Sequence, residues 1–372
     1  MKNITILTFQ RAKNYGAVLQ AFALKTALRS ICEHNVEILD YDFVVAGMND
    51  NLKNHYKKRG KVKFIIFIFI KIIEKFLGTL FINSIKKREI KITSFIDKYL
   101  INPNQKRYNI GNVKTIDSDL YIVGSDQVWN YSIAGGDKTF FLEFVPEKSK
   151  KFSYAASFGF EDVFLKYKKE CIDLLRNFEG ISLREPIGYD VLSKEIKEPF
   201  IHIDPTLLLD ASVWSGFTAD TGEKYILVYN VIPPNKLYKA AKETAKKKRL
   251  KMIEITSGFS SFILNPKSKK LLDKSPEEFV SLIANAEYVF TTSFHGTTFS
   301  VLFKKKFFTE LNCNNYYNHR VENLLNLLGL EERAIDNCGG DFSKEINWDS
   351  VDGKLNAERK KSFDYLAKIT NI

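Results

Sequence analysis

The 372-residue sequence has little of what builds metal centres or disulfide frameworks. Its four cysteines, Cys32, Cys171, Cys313 and Cys338, lie far apart and form no CxxC or metal-type pair. That pattern argues against a disulfide scaffold and a structural zinc, and it suits a reducing compartment. The turn NYGAVLQ at 14–20 is no GxGxxG, which leaves a dinucleotide site weakly supported. The opening MKNITILTF has no basic n-region, apolar h-region or small-residue cleavage site, so no signal peptide is expected. Internal repeats and low-complexity tracts are missing. The longest apolar run, FIIFIFIKIIEKFLGTLFI at 64–82, is interrupted by Lys71, Glu74 and Lys75. No stretch of about 20 uncharged residues therefore exists to span a bilayer.

What is present is an ordinary globular composition, 45% hydrophobic and 27% charged. The length suits two domains of about 150–180 residues. The net charge of +12 is concentrated: between Lys53 and Lys91, twelve Lys and Arg face only Glu74 and Glu89. The rest of the chain is nearly neutral. An apolar helix flanked by KKRGKVK and KKREIK fits a segment lying on an anionic membrane surface, where each basic residue contributes about 1 kcal/mol. A helical hairpin packed on its own domain, with solvated charged ends, fits the same pattern. No nucleic-acid partner is expected, because the aromatics of 64–82 are phenylalanines embedded in isoleucine, with no base-stacking arrangement.

Strand-like and helical runs alternate along the chain. Strands are expected within 3–9, 36–42, 118–129, 151–159 and 179–185, with helices within 14–31 and 164–178. A second series begins near Ile201, with strands within 224–231, 251–258 and 287–293 and helices within 236–249, 275–286 and 297–305. Ser275 before Pro276-Glu277-Glu278 reads as an N-cap with proline at the first helical position. Strand–helix alternation implies parallel, doubly wound sheets. The expected domains are 1–190, carrying the basic helical insertion at about 53–95, and 200–345, joined around 186–205. A last helix, 350–372, would return to the first domain. Ligands of such sheets bind beyond the carboxyl ends of the strands, which places the site in the cleft between paired domains.

Several stretches end strands with polar groups. TTSFHGTT presents His295 with the small residues Ser293, Gly296, Thr297 and Thr298, where a helix N-terminus favours an anion. A histidine there can bind an anion or move a proton near neutral pH, or it is a structural polar residue at a strand end. NYGAVLQ offers Asn14 and Gly16 in a glycine turn. GSDQVWN packs Ser125, Asp126, Gln127, Trp129 and Asn130, equipment for gripping a sugar or for a capped turn. ISLREP presents Arg184, a fork for phosphate or carboxylate or the partner of a nearby acid. Asp204 of IDP is a helix cap or a hinge residue.

Taken in order, NYGAVLQAFAL, LYIVGSDQVWN, ISLREP, HIDPTLLL and SPEEFVSLIANAEYVFTTSFHGTTFSVLFKKKFF resemble the polysaccharide pyruvyl transferase family over nearly the whole chain. NHRVENLLNLLGLEER is similar to the family's closing stretch, and the insertion at 53–91 is the least family-like part. The resemblance implies an α/β fold of two Rossmann-like doubly wound domains facing a cleft, GT-B-like, with the acceptor on the first domain and the donor on the second. It implies transfer of the enolpyruvyl unit of phosphoenolpyruvate onto two hydroxyls of one sugar, giving a pyruvate ketal in exopolysaccharide or capsule assembly. Neither a metal nor a cofactor is expected, the donor being a substrate. On this resemblance His295 is the general acid and Arg184 binds the donor. Ser293 stands where some members carry arginine, and Arg320 would replace that charge. Asp126 is the expected base, Ser125, Gln127 and Asn130 face the acceptor with it, and Asn14 and Gly16 line the cleft. The acceptor is a sugar or lipid-linked oligosaccharide, and the enzyme would be cytoplasmic, held peripherally at the inner membrane face through 61–91. The alternatives are a GT-B-like glycosyltransferase using a sugar nucleotide, and a non-catalytic sugar-binding or scaffold protein.

Overall fold

The structure, a computed structural model, describes residues 1–43, 82–220, 222–231, 234, 236–256, 265, 267–311 and 319–371. The basic apolar segment expected at 53–95 lies outside the described residues up to position 81. The chain divides into two compact units. One comprises Met1–Ile73, Thr93–Leu208 and Glu358–Ile372; the other comprises Glu74–Ile92 and Leu209–Ala357.

In the first unit, β1 (Asn3–Leu7), β2 (Asn35–Ile38), β3 (Leu120–Val123) and β4 (Lys150–Ser153) form a parallel sheet in the order β2-β1-β3-β4. Two short parallel strands, β5 (Ser182–Leu183) and β6 (Phe200–Ile201), continue it through bridges such as Ala156 to Leu183. All four residues of β3 are buried, as strands covered by helices on both faces require. Helix α1 (Tyr15–Ile31) is capped by Asn14, whose side chain accepts from Gly16 N. A Cβ on Gly124 would meet Leu24 Cδ2 at 2.7 Å, so glycine there lets α1 approach the end of β3. Residues 82–95 form helix α2, and α3 spans Glu161–Leu175.

In the second unit, β7 (Tyr225–Tyr229), β8 (Lys251–Ile255), β9 (Lys269–Leu271), β10 (Tyr288–Thr291) and β11 (Lys306–Thr309) form a parallel sheet, β11-β10-β7-β8-β9. Its helices are α4 (Leu237–Lys248), α5 (Pro276–Ala284), α6 (Phe294–Leu302) and α7 (His319–Leu328). Ser275 and Glu278 close a reciprocal capping box on α5, through bonds of 3.1 Å and 2.8 Å. The last helix, α8 (Trp348–Thr370), contributes residues to both units.

Several described elements, among them β9, β11 and α7, have no counterpart in the expected pattern. Strands β9 and β11 are the two edges of the second sheet, where lysines and short length are tolerated and blur a strand signal. Helix α7 follows a stretch rich in asparagine and tyrosine that hides its start. Helix α6 also begins earlier than expected, at Phe294 rather than Thr297, because Ser293 caps it and Gly296 can pack inside its first turn.

The return of α8 brings Tyr365 against the buried His202 ring, 4.7 Å between centroids and tilted by 35°, while Ser182 Oγ meets His202 Nδ1 at 2.8 Å. Burial, followed by the charge of Lys361, lowers the His202 pKa to about 4. An unfolded histidine titrates near 6.5, so the unfolded chain binds the extra proton between those values and stability falls as pH drops through this window. The unfolding free energy of wild type, measured in urea against His202→Gln, is expected to lose about 3 kcal/mol between pH 7 and pH 4. A pH-independent difference would remove His202 as the cause.

Candidate active site

Reversal of strand order puts the switch point of the second sheet between β7 and β10. Ligands of open α/β sheets bind at such points. The strand ends are tied together there. Thr291 Oγ1 donates to Tyr229 O at 2.5 Å, Thr292 Oγ1 accepts from Val231 N at 3.1 Å, and Thr291 Oγ1 accepts from Ser293 N at 3.0 Å. The chain then turns straight into α6. Ser293 is its N-cap, accepting from Gly296 N at 3.3 Å, and Thr297 N and Oγ1 both return to Ser293 O. His295 therefore sits in the first turn of a helix, 8% exposed, and no acidic residue shares that turn. Its ring stands edge-on to Phe294, whose other neighbour is the Arg320 guanidinium 5.8 Å from the ring centroid. Arg320 is thus placed beside the residue that precedes His295. The small residues expected to admit a ligand are packed against protein atoms first. A Cβ on Gly296 would lie 2.5 Å from Thr291 Oγ1, and Thr297 is fully buried.

The neighbouring helix start is different. Lys236 N and Leu237 N, at the beginning of α4 after β7, donate to the buried carboxylate of Glu310, Leu237 at 2.8 Å. A carboxylate already occupies the position where a nucleotide's phosphates would meet that helix.

In the first unit, the polar strand ends form one buried network. Arg184 is held by Asp204 at 3.0 Å, Glu185 at 3.5 Å and Asp126 at 3.7 Å. Burial opposes its charge, but Glu185, Asp204 and Asp126 outweigh it and hold the guanidinium pKa above its ordinary value. The ion-pair alternative weighed for Arg184 accounts for these contacts. Asp204 accepts from Ser125 Oγ at 3.2 Å and from Thr206 N at 3.0 Å, so it caps the turn Pro205–Leu208 while pairing with Arg184. Asp126 has φ 77°, a left-handed backbone rare for a residue with a side chain, and its carboxylate accepts from Gln127 N. Gln127 Oε1 accepts from Asn130 Nδ2 at 2.9 Å, and Asn130 caps the short helix Tyr131–Ala134. Ser125 and Asn130 are fully buried. Trp129 does not offer its ring to a sugar: it is 1% exposed, stacked on Phe141, with Nε1 bonded to Phe140 O. Asn14, by contrast, is exposed at the start of α1.

Among the described residues no group of His, Cys, Asp and Glu could hold a metal ion. Burial pushes the Cys171 thiol up to about 12, which makes it a poor nucleophile. Sequence reasoning overlooked Tyr229 and Thr292 at the switch point, and Glu310. The runs YILVYN, YVFTTS and FFTEL carry them, but none reveals that their ends are neighbours until the strand order is known.

The polysaccharide pyruvyl transferase family model matches residues 14–313, and the chain belongs to that family, a family of transferases. No curated protein matches the chain closely enough to count as a relative. Among solved structures, the UDP-GlcNAc 2-epimerase from Methanocaldococcus jannaschii is similar, with 14% identity, 97% of this chain and 98% of that one covered, and a TM-score of 0.50. A second UDP-N-acetylglucosamine 2-epimerase shows 10% identity over 98% and 96% of the two chains, with a TM-score of 0.52. At these identities the likeness is one of fold, and the fold is α/β and GT-B-like.

The contact at Gly296 gives a direct test. Gly296→Ala is expected to cost about 1–3 kcal/mol in urea unfolding, because α6 and β10 must move apart to admit the methyl group. Gly353→Ala in α8, with nothing within 4 Å of the new Cβ, should instead leave stability equal or raise it. Equal tolerance at both positions would refute the packing argument.

Proposed function

We propose that this member of the polysaccharide pyruvyl transferase family moves the enolpyruvyl group of phosphoenolpyruvate onto two hydroxyls of one sugar. The observation that carries the reading is the position of His295 at a switch-point helix start free of acidic residues, while the neighbouring start at α4 is closed by Glu310. His295, protonated, delivers its proton to the methylene carbon of the donor, which leaves an oxocarbenium-like centre at the carbon bearing the phosphate. One sugar hydroxyl adds there, the carbon–oxygen bond to phosphate breaks, and the second hydroxyl closes the ketal. Of the two hydroxyl protons released, one restores His295 and the other leaves with phosphate. Asp126, 3.7 Å from Arg184, takes the first hydroxyl proton in this scheme and passes it to the departing phosphate. Arg320 supplies positive charge to donor binding, while Arg184, paired with Asp204, Glu185 and Asp126, orders the carboxylates on the acceptor side. Ser293, Gly296 and Thr297 shape the donor turn, while Asn14, Gly16, Ser125, Gln127 and Asn130 support the acceptor side.

A sugar-nucleotide glycosyltransferase would use the same fold. The Glu310 carboxylate at α4 counts against a diphosphate there. His295→Ala is expected to lower kcat for phosphate release from phosphoenolpyruvate, with a panel of sugar acceptors, by about 10²–10⁴. Unchanged turnover would remove the assigned acid, and turnover of a sugar nucleotide alone would favour the glycosyltransferase.

The acceptor in this reading is an exopolysaccharide or capsule sugar carried on lipid, met at the cytoplasmic membrane face. No described helix is long and apolar enough to cross a membrane. Peripheral contact through 61–91 is the proposed attachment, most of it outside the described residues. Removing 61–79 leaves α2 and its lysine contacts in place. That variant should sediment less with anionic vesicles than wild type; unchanged partitioning would sink the membrane role.

A further inference from the structure

After β3 the chain runs through Asp126, Gln127 and Asn130, and backbone bonds tie this stretch to the residues that follow β4. Ser157 N donates to Asp126 O at 3.0 Å, and Trp129 N donates to Ser157 O at 3.2 Å. Asn130 is fully buried, and its side-chain amide has only one possible orientation. The backbone N–H of Ser132 is a fixed donor, so the Asn130 atom it meets at 3.0 Å must be Oδ1. Asn130 Nδ2 is then a donor, and the atom it meets at 2.9 Å must be an acceptor, Gln127 Oε1. One backbone amide thus orients two side-chain amides in series. Gln127 Nε2 is left on the far side of its amide from Asn130. The residue is partly exposed, and among the described residues nothing accepts from that nitrogen.

The backbone beneath permits this arrangement. A Cβ on Gly159 would lie 2.3 Å from Asn130 Nδ2 and 2.4 Å from Gln127 Oε1, so the paired amides rest where only glycine fits. Its φ of 77° is also one that glycine adopts without strain. Gly159 N donates to Ser157 Oγ at 3.0 Å, and that hydroxyl in turn donates to Glu185. Directly before Gln127 stands Asp126, whose carboxylate accepts hydrogen bonds. Its side chain is 12% exposed, against 2% or less for Arg184, Glu185 and Asp204, so of these four it is the one a ligand can reach. Successive residues therefore offer a donor and an acceptor. A sugar diol matches the pair, one oxygen taking the Gln127 hydrogen and the other giving its own to Asp126.

We propose that Asn130 is a positioning residue that presents Gln127 Nε2 as a hydrogen-bond donor to a hydroxyl oxygen of the acceptor sugar, beside Asp126. The inference rests on the proposed acceptor role of this turn. Side-chain amide signals of the isotope-labelled full chain read the orientation without turnover. The Gln127 signal, identified by its loss in Gln127→Glu, should exchange with water quickly, and the Asn130 signal, identified in Asn130→Asp, slowly. Asn130→Asp still accepts from Ser132 N but no longer donates, so Gln127 must turn Nε2 inward and exchange about tenfold more slowly. The ligand probes are D-glucose, D-galactose and D-mannose, at least one of which should shift the Gln127 signal in wild type and not in Asn130→Asp. In turnover, Gln127→Glu keeps the Asn130 bond and replaces the outward donor with an acceptor. It should raise KM for the acceptor by about 10- to 100-fold and leave KM for phosphoenolpyruvate unchanged. Ser132→Ala, which keeps the backbone N–H, should behave as wild type. A slowly exchanging Gln127 amide in wild type, one indifferent to Asn130→Asp, or one that no hexose shifts would overturn the inference. Should Asn130→Asp not fold, the acceptor KM of Gln127→Glu decides alone. A Gln127 amide that answers to Asn130 and to a hexose, in a protein that releases no phosphate from phosphoenolpyruvate, would end the proposed function and leave this inference standing. Turnover that depends on His295 while Gln127→Glu leaves the acceptor KM unchanged would do the reverse.

Discussion

The approach of α6 to β10 fixes the geometry of the second unit's site. At position 296 the helix backbone runs so near Thr291 that a single methyl group would overlap its hydroxyl. That closeness lets Thr291 tie Tyr229 O and Ser293 N at once, which joins the ends of β7 and β10 and starts α6 without an intervening loop. His295 then has no slack: its backbone is helical, its neighbour Ser293 is a cap, and its position follows from strand order. The first unit repeats the device at Gly124, where α1 meets the end of β3. In both units glycine admits protein atoms before it admits any ligand.

Charge is distributed unevenly around these strand ends. Arg184 stands among three carboxylates, so the local balance there is negative despite the buried cation. Such a centre suits hydroxyl groups and proton acceptance better than it suits a second anion, because the guanidinium's field is already spent on Asp204 and Glu185. The His295 turn has the opposite balance, with Arg320 at the Phe294 ring and no acid in the helix's first turn. On the proposed reading, the anionic donor belongs with the His295 turn and the polyol acceptor with the carboxylates around Arg184.

Much of this was legible beforehand, for definite reasons. Parallel strands covered on both faces must be apolar throughout, so LYIV and YVFT announce themselves. The capping box of α5 is written in four consecutive residues, Ser275 to Glu278. The family could be recognised because its polar strand ends keep their order, and the matched span, 14–313, includes every one of them. What stayed hidden depends on partners distant in sequence. Trp129 looked like a sugar platform until Phe141 and Phe158 closed over it. Asp204 looked like a hinge or a cap, and only strand pairing shows that it also neutralises Arg184. The lysines at the end of the insertion counted as solvent or membrane charge, although Lys87 and Lys91 pair with Asp273 and Glu278, nearly two hundred residues away in sequence.

The contrast between two helix starts in one sheet bears most directly on chemistry. Both α4 and α6 follow strands that flank the switch point, so fold alone makes either a candidate for phosphate. Glu310 decides between them: its carboxylate accepts from two backbone amides at α4, and bringing phosphate to the same place would set two anions together in a poorly solvated site. The α6 start carries a titratable ring in place of a carboxylate. A ring that can hold a proton beside an anion is what protonation of an enol phosphate needs, whereas transfer from a sugar nucleotide needs the diphosphate held and nothing protonated at carbon. On the proposed reading, the side chain at each helix N-terminus, more than the shared fold, is what would separate pyruvyl transfer from glycosyl transfer.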